Sequence, residues 1–244
     1  TDSAWYDSLG YRSVYLTRLT ASAGLFLGGA LLAWLFITLN ILLARRLEPF
    51  GLVNTPPEQI ASAFGVRVPA VLIAAAGVFA LLFGLSIAGN WQQLLLYWNQ
   101  VSFGRTDPLF GMDVSFFVFT LPIWELLRGS LLWLLVATIA AVAVTAGVGW
   151  RGWNVRRAVR IHLAVLGALL LLLVAWHYRV QAFELVYSQR GPLYGASYTD
   201  VHAQLPAYNL LALVSLAAAV LLVVLAFLGR GWRAMLAIIG AWVV

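Results

Sequence analysis

Four side chains able to pass a proton or hold an ion, His177, Gln181, Glu184 and Ser188, follow one another at spacings of four, three and four residues. On a helix those intervals place all four on one face. A polar stripe on an otherwise apolar helix is the pattern of a proton relay or an ion path. It is also the pattern of a helix end that has left the bilayer and turns its polar side to water or to another domain. The second reading is favoured, because the apolar part of this helix uses up the roughly 30 Å of a hydrocarbon core before His177 is reached.

His162 and His177 together could serve as axial ligands to haem or chlorophyll, for which imidazole is the usual ligand. No second span offers a partnering histidine, and His162 directly follows an arginine cluster, so it reads as an interfacial residue and no cofactor is expected. The chain has no cysteine, which removes thiolate nucleophiles, disulfides and cysteine metal sites. Neither a nucleophile–base pair nor a phosphate loop nor a metal-ligand spacing occurs, so the region reads as non-enzymatic. The centres of the apolar stretches hold no Asp, Glu, Lys or Arg, which counts against a charged-residue pump confined to them.

The elements that position these residues are set by the solvent. Apolar residues make up 63% of the 244 and charged residues 10%, where a soluble domain carries about 25% charged. The long apolar blocks separated by short charged segments are what a bilayer selects. The net charge of +6 comes from arginine, since lysine is absent. These arginines sit at the ends of apolar blocks rather than along a groove, so the expected partner is the lipid bilayer and not nucleic acid.

The expected fold is all-α: a polytopic transmembrane helical bundle with interfacial amphipathic helices. Spans are expected at about residues 20–44, 68–88, 123–148, 161–178 and 207–228, with a sixth opening at 232 and incomplete at the end of the sequence. Residues 5–17, rich in tyrosine and arginine, read as an interfacial segment, and Trp91, Leu94, Leu95 and Trp98 mark a second one. The apolar run from Val114 to Val148 is too long for one span, and Pro122 is the expected break, leaving the aromatic residues before it at the surface. Gly24, Gly28 and Gly29 in the first span and Ala74, Ala75, Ala76 and Gly77 in the second permit close helix packing. The loop with Arg151, Arg156, Arg157 and Arg160 gives the strongest orientation signal and places the amino terminus outside the cytoplasm.

Three stretches carry a resemblance: Trp5-Tyr6-Asp7-Ser8-Leu9-Gly10-Tyr11; Asp107-Pro108-Leu109-Phe110-Gly111-Met112-Asp113 with Val114-Ser115-Phe116-Phe117 and Leu121-Pro122; and residues 190–206, which include Gly191, Gly195, Tyr198, Asp200 and His202. The chain resembles the large bacterial integral membrane proteins of uncharacterised protein family 0182. The resemblance implies a longer parent, with about seven amino-terminal spans followed by a large extracytoplasmic region, in the bacterial inner membrane. It assigns no catalytic residue.

All three stretches fall on the expected outer side, where Asp107, Asp113, Tyr198, Asp200 and His202 would form a platform for the protein's own extracytoplasmic domain. Asp113 is placed to cap the helix that starts at Val114, Asp200 to cap a short helix ending before Pro206, and Gly191 and Gly195 to adopt shapes closed to other residues. The expected function is therefore a membrane anchor or scaffold. The alternatives are a component of a transporter or channel, and an accessory subunit packed against other membrane subunits of an energy-transducing or photosynthetic complex.

Overall fold

The structure is a computed structural model and describes residues 2–148, 156–189 and 194–229. Among these it is all-helical, with a single isolated β-bridge between Thr106 and Asp113. The helices are α1 (Asp2–Ser8), α2 (Arg12–Leu47), α3 (Pro56–Ala63), α4 (Val68–Ala88), α5 (Trp91–Trp98), α6 (Leu121–Thr145), α7 (Arg157–Glu184) and α8 (Leu205–Phe227). Five segments are long and apolar enough to cross a bilayer: Arg12–Leu47, Val68–Ala88, Phe116–Thr145, Arg157–Tyr187 and Asp200–Phe227. The sixth span expected from residue 232, and Arg151, lie outside the described residues.

Helix α2 is 36 residues long, about 54 Å against a hydrocarbon core of about 30 Å, so it stands out of the membrane. The expected interfacial segment over residues 5–17 is therefore divided. Residues 2–8 form the separate α1, Gly10 turns the chain at φ +77°, and residues 12–17 are already the first turns of α2. At its other end Arg45 and Arg46 lie in the last turn, where cations complement the exposed carbonyls.

Between helices surrounded by lipid tails, close packing replaces the hydrophobic effect as the cohesive force. Helix α4 packs on α2, α2 on α6, α6 on α7, and α7 on α8. The α2–α4 crossing closes around Gly84, where a Cβ would stand 2.6 Å from the Phe26 carbonyl oxygen and 2.9 Å from the Ala30 Cβ. Its core is Ala33, Ile37 and Ile41 against Ala76 and Ala80, joined by Leu134 of α6. Of the small residues expected to mediate packing, Gly29 and Ala76 do so, while Gly24 and Gly28 face open space. At the α7–α8 crossing, Ala164, Ala168 and Leu171 meet Ala219, Leu222 and Ala226.

The expected break at Pro122 is absent. A π-helical turn, Phe116–Thr120, leads straight into α6, and the Leu121 N–H donates to the Phe116 carbonyl five residues back. A proline ring clashes with the carbonyl four residues before it and cannot donate to it; widening the preceding turn takes up that strain without ending the helix. The same device recurs before Pro206, where the π turn Asp200–Gln204 feeds α8 and the Leu205 N–H donates to the Asp200 carbonyl. The aromatic residues before Pro122 are consequently not all at the surface. Phe117 and Leu121 are buried, packed with Val180 and Phe183 of α7.

Candidate functional site

The described polar groups concentrate at the end of the bundle where α6 and α8 begin and α7 finishes. Two loops and a polar knot beneath them make up the candidate site.

The first loop, residues 99–115, is built on two aspartates. The Asp113 carboxylate accepts from the Ser102 hydroxyl at 2.5 Å, from the Phe103 and Gly104 N–H groups at 3.2 and 3.1 Å, and from the Ser115 N–H at 2.8 Å. It caps the helix starting at Val114, as its position before that segment suggests, and also ties down the far limb of its own loop. The Ser102 hydroxyl foremost, then the Ser115 N–H, hold its carboxyl well below the usual carboxylate range. Asp107 closes the tip: one of its oxygens accepts from the Leu109 and Phe110 N–H groups at 2.9 and 2.8 Å.

The second loop reaches α8 through a capping box. The Asp200 carboxylate accepts from the Ser197 N–H and hydroxyl, both at 2.9 Å, and the Asp200 N–H returns a bond to the Ser197 hydroxyl at 3.3 Å. Ser197, rather than Asp200, is thus the residue at the helix start, and the helix continues through Pro206 instead of ending before it. Asp200 is 1% exposed. Tyr198 and His202 stack with ring centroids 4.0 Å apart, and the His202 Nδ1–H donates to the Tyr198 carbonyl at 3.0 Å. Gly195 takes φ +117°, a conformation open to glycine alone, whereas Gly191 lies outside the described residues.

The structure brings these two loops together. Asp107, Pro108 and Leu109 of the first face Gly195, Ala196 and Val201 of the second across an open cleft of about 360 Å³. Tyr194 and Tyr198 stand exposed beside it. The third matching stretch, residues 5–11, packs instead on its own α2, with Tyr6 against Tyr15.

Beneath the cleft the α7 stripe is half-buried rather than open to water, and it meets two residues of α6. Arg128 Nη1 lies 2.8 Å from His177 Nδ1. A guanidinium only donates, so Nδ1 accepts and the imidazole proton sits on Nε2. The Gln181 amide donates to the Glu184 carboxyl, which lies close to Glu125 and Arg128 of α6. Ser188 does not join this group by hydrogen bonds: its hydroxyl is buried without a partner among the described residues, and its carbonyl accepts from the Gly195 N–H at 3.0 Å.

Glu125 and Arg128 were not singled out by sequence reasoning. Their signal was their spacing of three residues in the first turns of a span running antiparallel to the α7 stripe.

The knot ends abruptly. His162 lies 15 residues before His177 on the same helix, about 22 Å along its axis. Its Nε2 faces the Asn40 Oδ1 at 2.9 Å, and the Asn40 amide donates to the Phe36 carbonyl at 2.8 Å. Apolar Leu135, Val142 and Leu166 pack in the bundle on that side. Thr138 and Thr145 spend their hydroxyls on their own helix. The two histidines are therefore separate sites, each with one ring nitrogen engaged by protein.

The family model described as Uncharacterised protein family (UPF0182) matches residues 1–244. The chain belongs to this family. It is 38% identical over 246 residues to a UPF0182 protein of Moorella thermoacetica, covering 93% of this chain and 26% of that protein. A UPF0182 protein of Kocuria rhizophila is 37% identical, with 99% and 25% covered, and one of Frankia alni is 39% identical, with 95% and 23% covered. The chain thus spans about a quarter of the length of the curated relatives it matches. No solved structure matches it. Family and fold together describe a bacterial membrane protein with five membrane-capable helices among the described residues.

Proposed function

We propose that this part of the protein is a non-enzymatic membrane anchor whose loop face supports an extracytoplasmic domain of the same polypeptide. The observation behind the reading is the shared cleft: loops separated by some ninety residues (Asp107 to Gly195 spans 88) are each fixed by internal carboxylate bonds and present one surface with exposed tyrosines. A pre-organised surface binds without the cost of ordering itself. The relatives' much greater length supplies a candidate for what sits there, and the loop face is taken as extracytoplasmic because arginines gather at the opposite end.

Hydrogen exchange on membranes holding the full-length protein, compared with membranes holding a form cut after the membrane region, tests this. Residues 102–113 and 195–201 exchange more slowly in the full-length protein if the reading is right. Equal exchange in both forms contradicts docking at this face.

A further inference from the structure

At the opposite, arginine-rich face the chain between α2 and α4 forms a surface of two chemistries. Leu52, Ala61 and Val68 hold this segment together as a small buried cluster. Alongside that cluster, α3 and the start of α4 border an open groove of about 590 Å³ lined only by apolar side chains, including Ile60, Phe64, Val66 and Val71. Phe64 is 80% exposed and Ile60 63% exposed.

Adjoining this groove at residues 66–69 is a smaller hollow of about 110 Å³, lined by Arg45, Glu48, Glu58 and Arg67. Its carboxylates are already engaged. Glu48 accepts from the Arg156 N–H at 2.9 Å and lies 3.9 Å from the Arg156 guanidinium, and Glu58 accepts from the Val68 N–H at 3.3 Å. Arg45 and Arg67 make no ion pair among the described residues. Two guanidinium groups without an ion pair among the described residues therefore stand in the hollow, beside the stretch 66–69 that also borders the apolar groove.

We infer that this face binds one molecule of an anionic phospholipid, with its phosphate on Arg45 and Arg67 and an acyl chain along Ile60, Phe64 and Val71. Guanidinium groups are suited to phosphate oxygens, and the stretch 66–69 contributes Val66 and Val68 to the apolar groove and Arg67 and Pro69 to the charged hollow, which places a head site and a tail site side by side. A zwitterionic lipid could fill the groove but would bring its own cation to the arginines, so the site discriminates by headgroup charge.

Native mass spectrometry of the full-length protein, supplied with equal amounts of dioleoyl phosphatidylglycerol and dioleoyl phosphatidylcholine, tests the inference. The wild type retains phosphatidylglycerol preferentially, and the R45Q/R67Q double variant, altered only at exposed side chains, lowers that preference about tenfold. F64S weakens retention of both lipids and keeps their ratio. Equal retention of the two lipids by the wild type, an unchanged preference in R45Q/R67Q, or unchanged retention in F64S overturns it. Displacement of bound phosphatidylglycerol by inorganic phosphate alone would also overturn it, since the site would then read a free anion rather than a lipid.

Discussion

The two ends of the bundle use charge in opposite ways. At the loop face, Asp107, Asp113 and Asp200 spend their carboxylates on backbone N–H groups and serine hydroxyls, so acidic charge is consumed in holding a surface in shape. At the arginine-rich face Glu48 and Glu58 are likewise consumed, but Arg45, Arg46 and Arg67 make no ion pair among the described residues. On the proposed reading, charge bound into loop geometry builds a platform and charge left over meets a ligand. Substitutions at the first end should therefore damage structure, while those at the second should damage binding and leave structure intact.

The largest effect expected at either end is one that involves no charge. Gly51 lies where a Cβ would come within 2.9 Å of the Ala146 and Thr145 carbonyl oxygens, so neither side can yield by a side-chain rotation. G51A is expected to cost about 3 kcal/mol through backbone displacement at the end of α6, measured by thermal unfolding in detergent. A near-neutral result would mean that the arginine-rich end is looser than its packing indicates.

D200A comes next. It removes the carboxylate that accepts from the Ser197 N–H and hydroxyl at a buried position, while the backbone N–H of residue 200 can still reach the Ser197 hydroxyl, and about 2 kcal/mol is expected to be lost. D113N keeps the shape but not the charge of the group that organises the first loop; faster hydrogen exchange at Phe103, Gly104 and Ser115 is expected, with little change in global melting. Since the folded-state pKa of Asp113 is depressed, the order it confers is present above the unfolded carboxylate pKa and lost only as pH falls through the lower folded value. Protection of that loop should therefore persist from neutral pH to about pH 4 and fade in stronger acid. Fading at pH 6 would contradict the assignment. The smallest effect belongs to R45Q/R67Q, whose side chains are exposed and without an ion pair among the described residues: less than about 0.5 kcal/mol in stability, despite the loss of lipid preference.

The helices were legible in the sequence because a bilayer imposes length and apolarity so strictly that blocks such as residues 68–88 declare themselves. Pro122 misled for an equally physical reason. Proline forbids the ordinary α-helical bond, but a π turn one step earlier absorbs the defect, and nothing in the residue types before Leu121 and Leu205 announces that turn. Small residues misled in the same direction. Gly24 and Gly28 looked like packing positions, yet the contact that closes the α2–α4 crossing is at Gly84, because which face of a uniformly apolar helix meets a partner is decided by that partner.

In the candidate site, the single-faced spacing of His177, Gln181 and Glu184 was readable, and so was the capping role of Asp113. Their meeting with Glu125 and Arg128, and the cleft between residues 107–109 and 195–201, depend on how α6 lies against α7. That information is in no single segment.

The central claim is that the loop face and the arginine-rich face lie on opposite sides of one bilayer. The chain has no cysteine of its own, and Tyr198 is 76% exposed, while Arg46 is exposed at the far end of α2. Single variants Y198C and R46C in the form cut after the membrane region, with any other cysteine replaced, can be treated with a membrane-impermeant maleimide before and after permeabilising the cells. The account predicts labelling of Y198C in intact cells and of R46C only after permeabilisation. Labelling of both positions from the same side would contradict it.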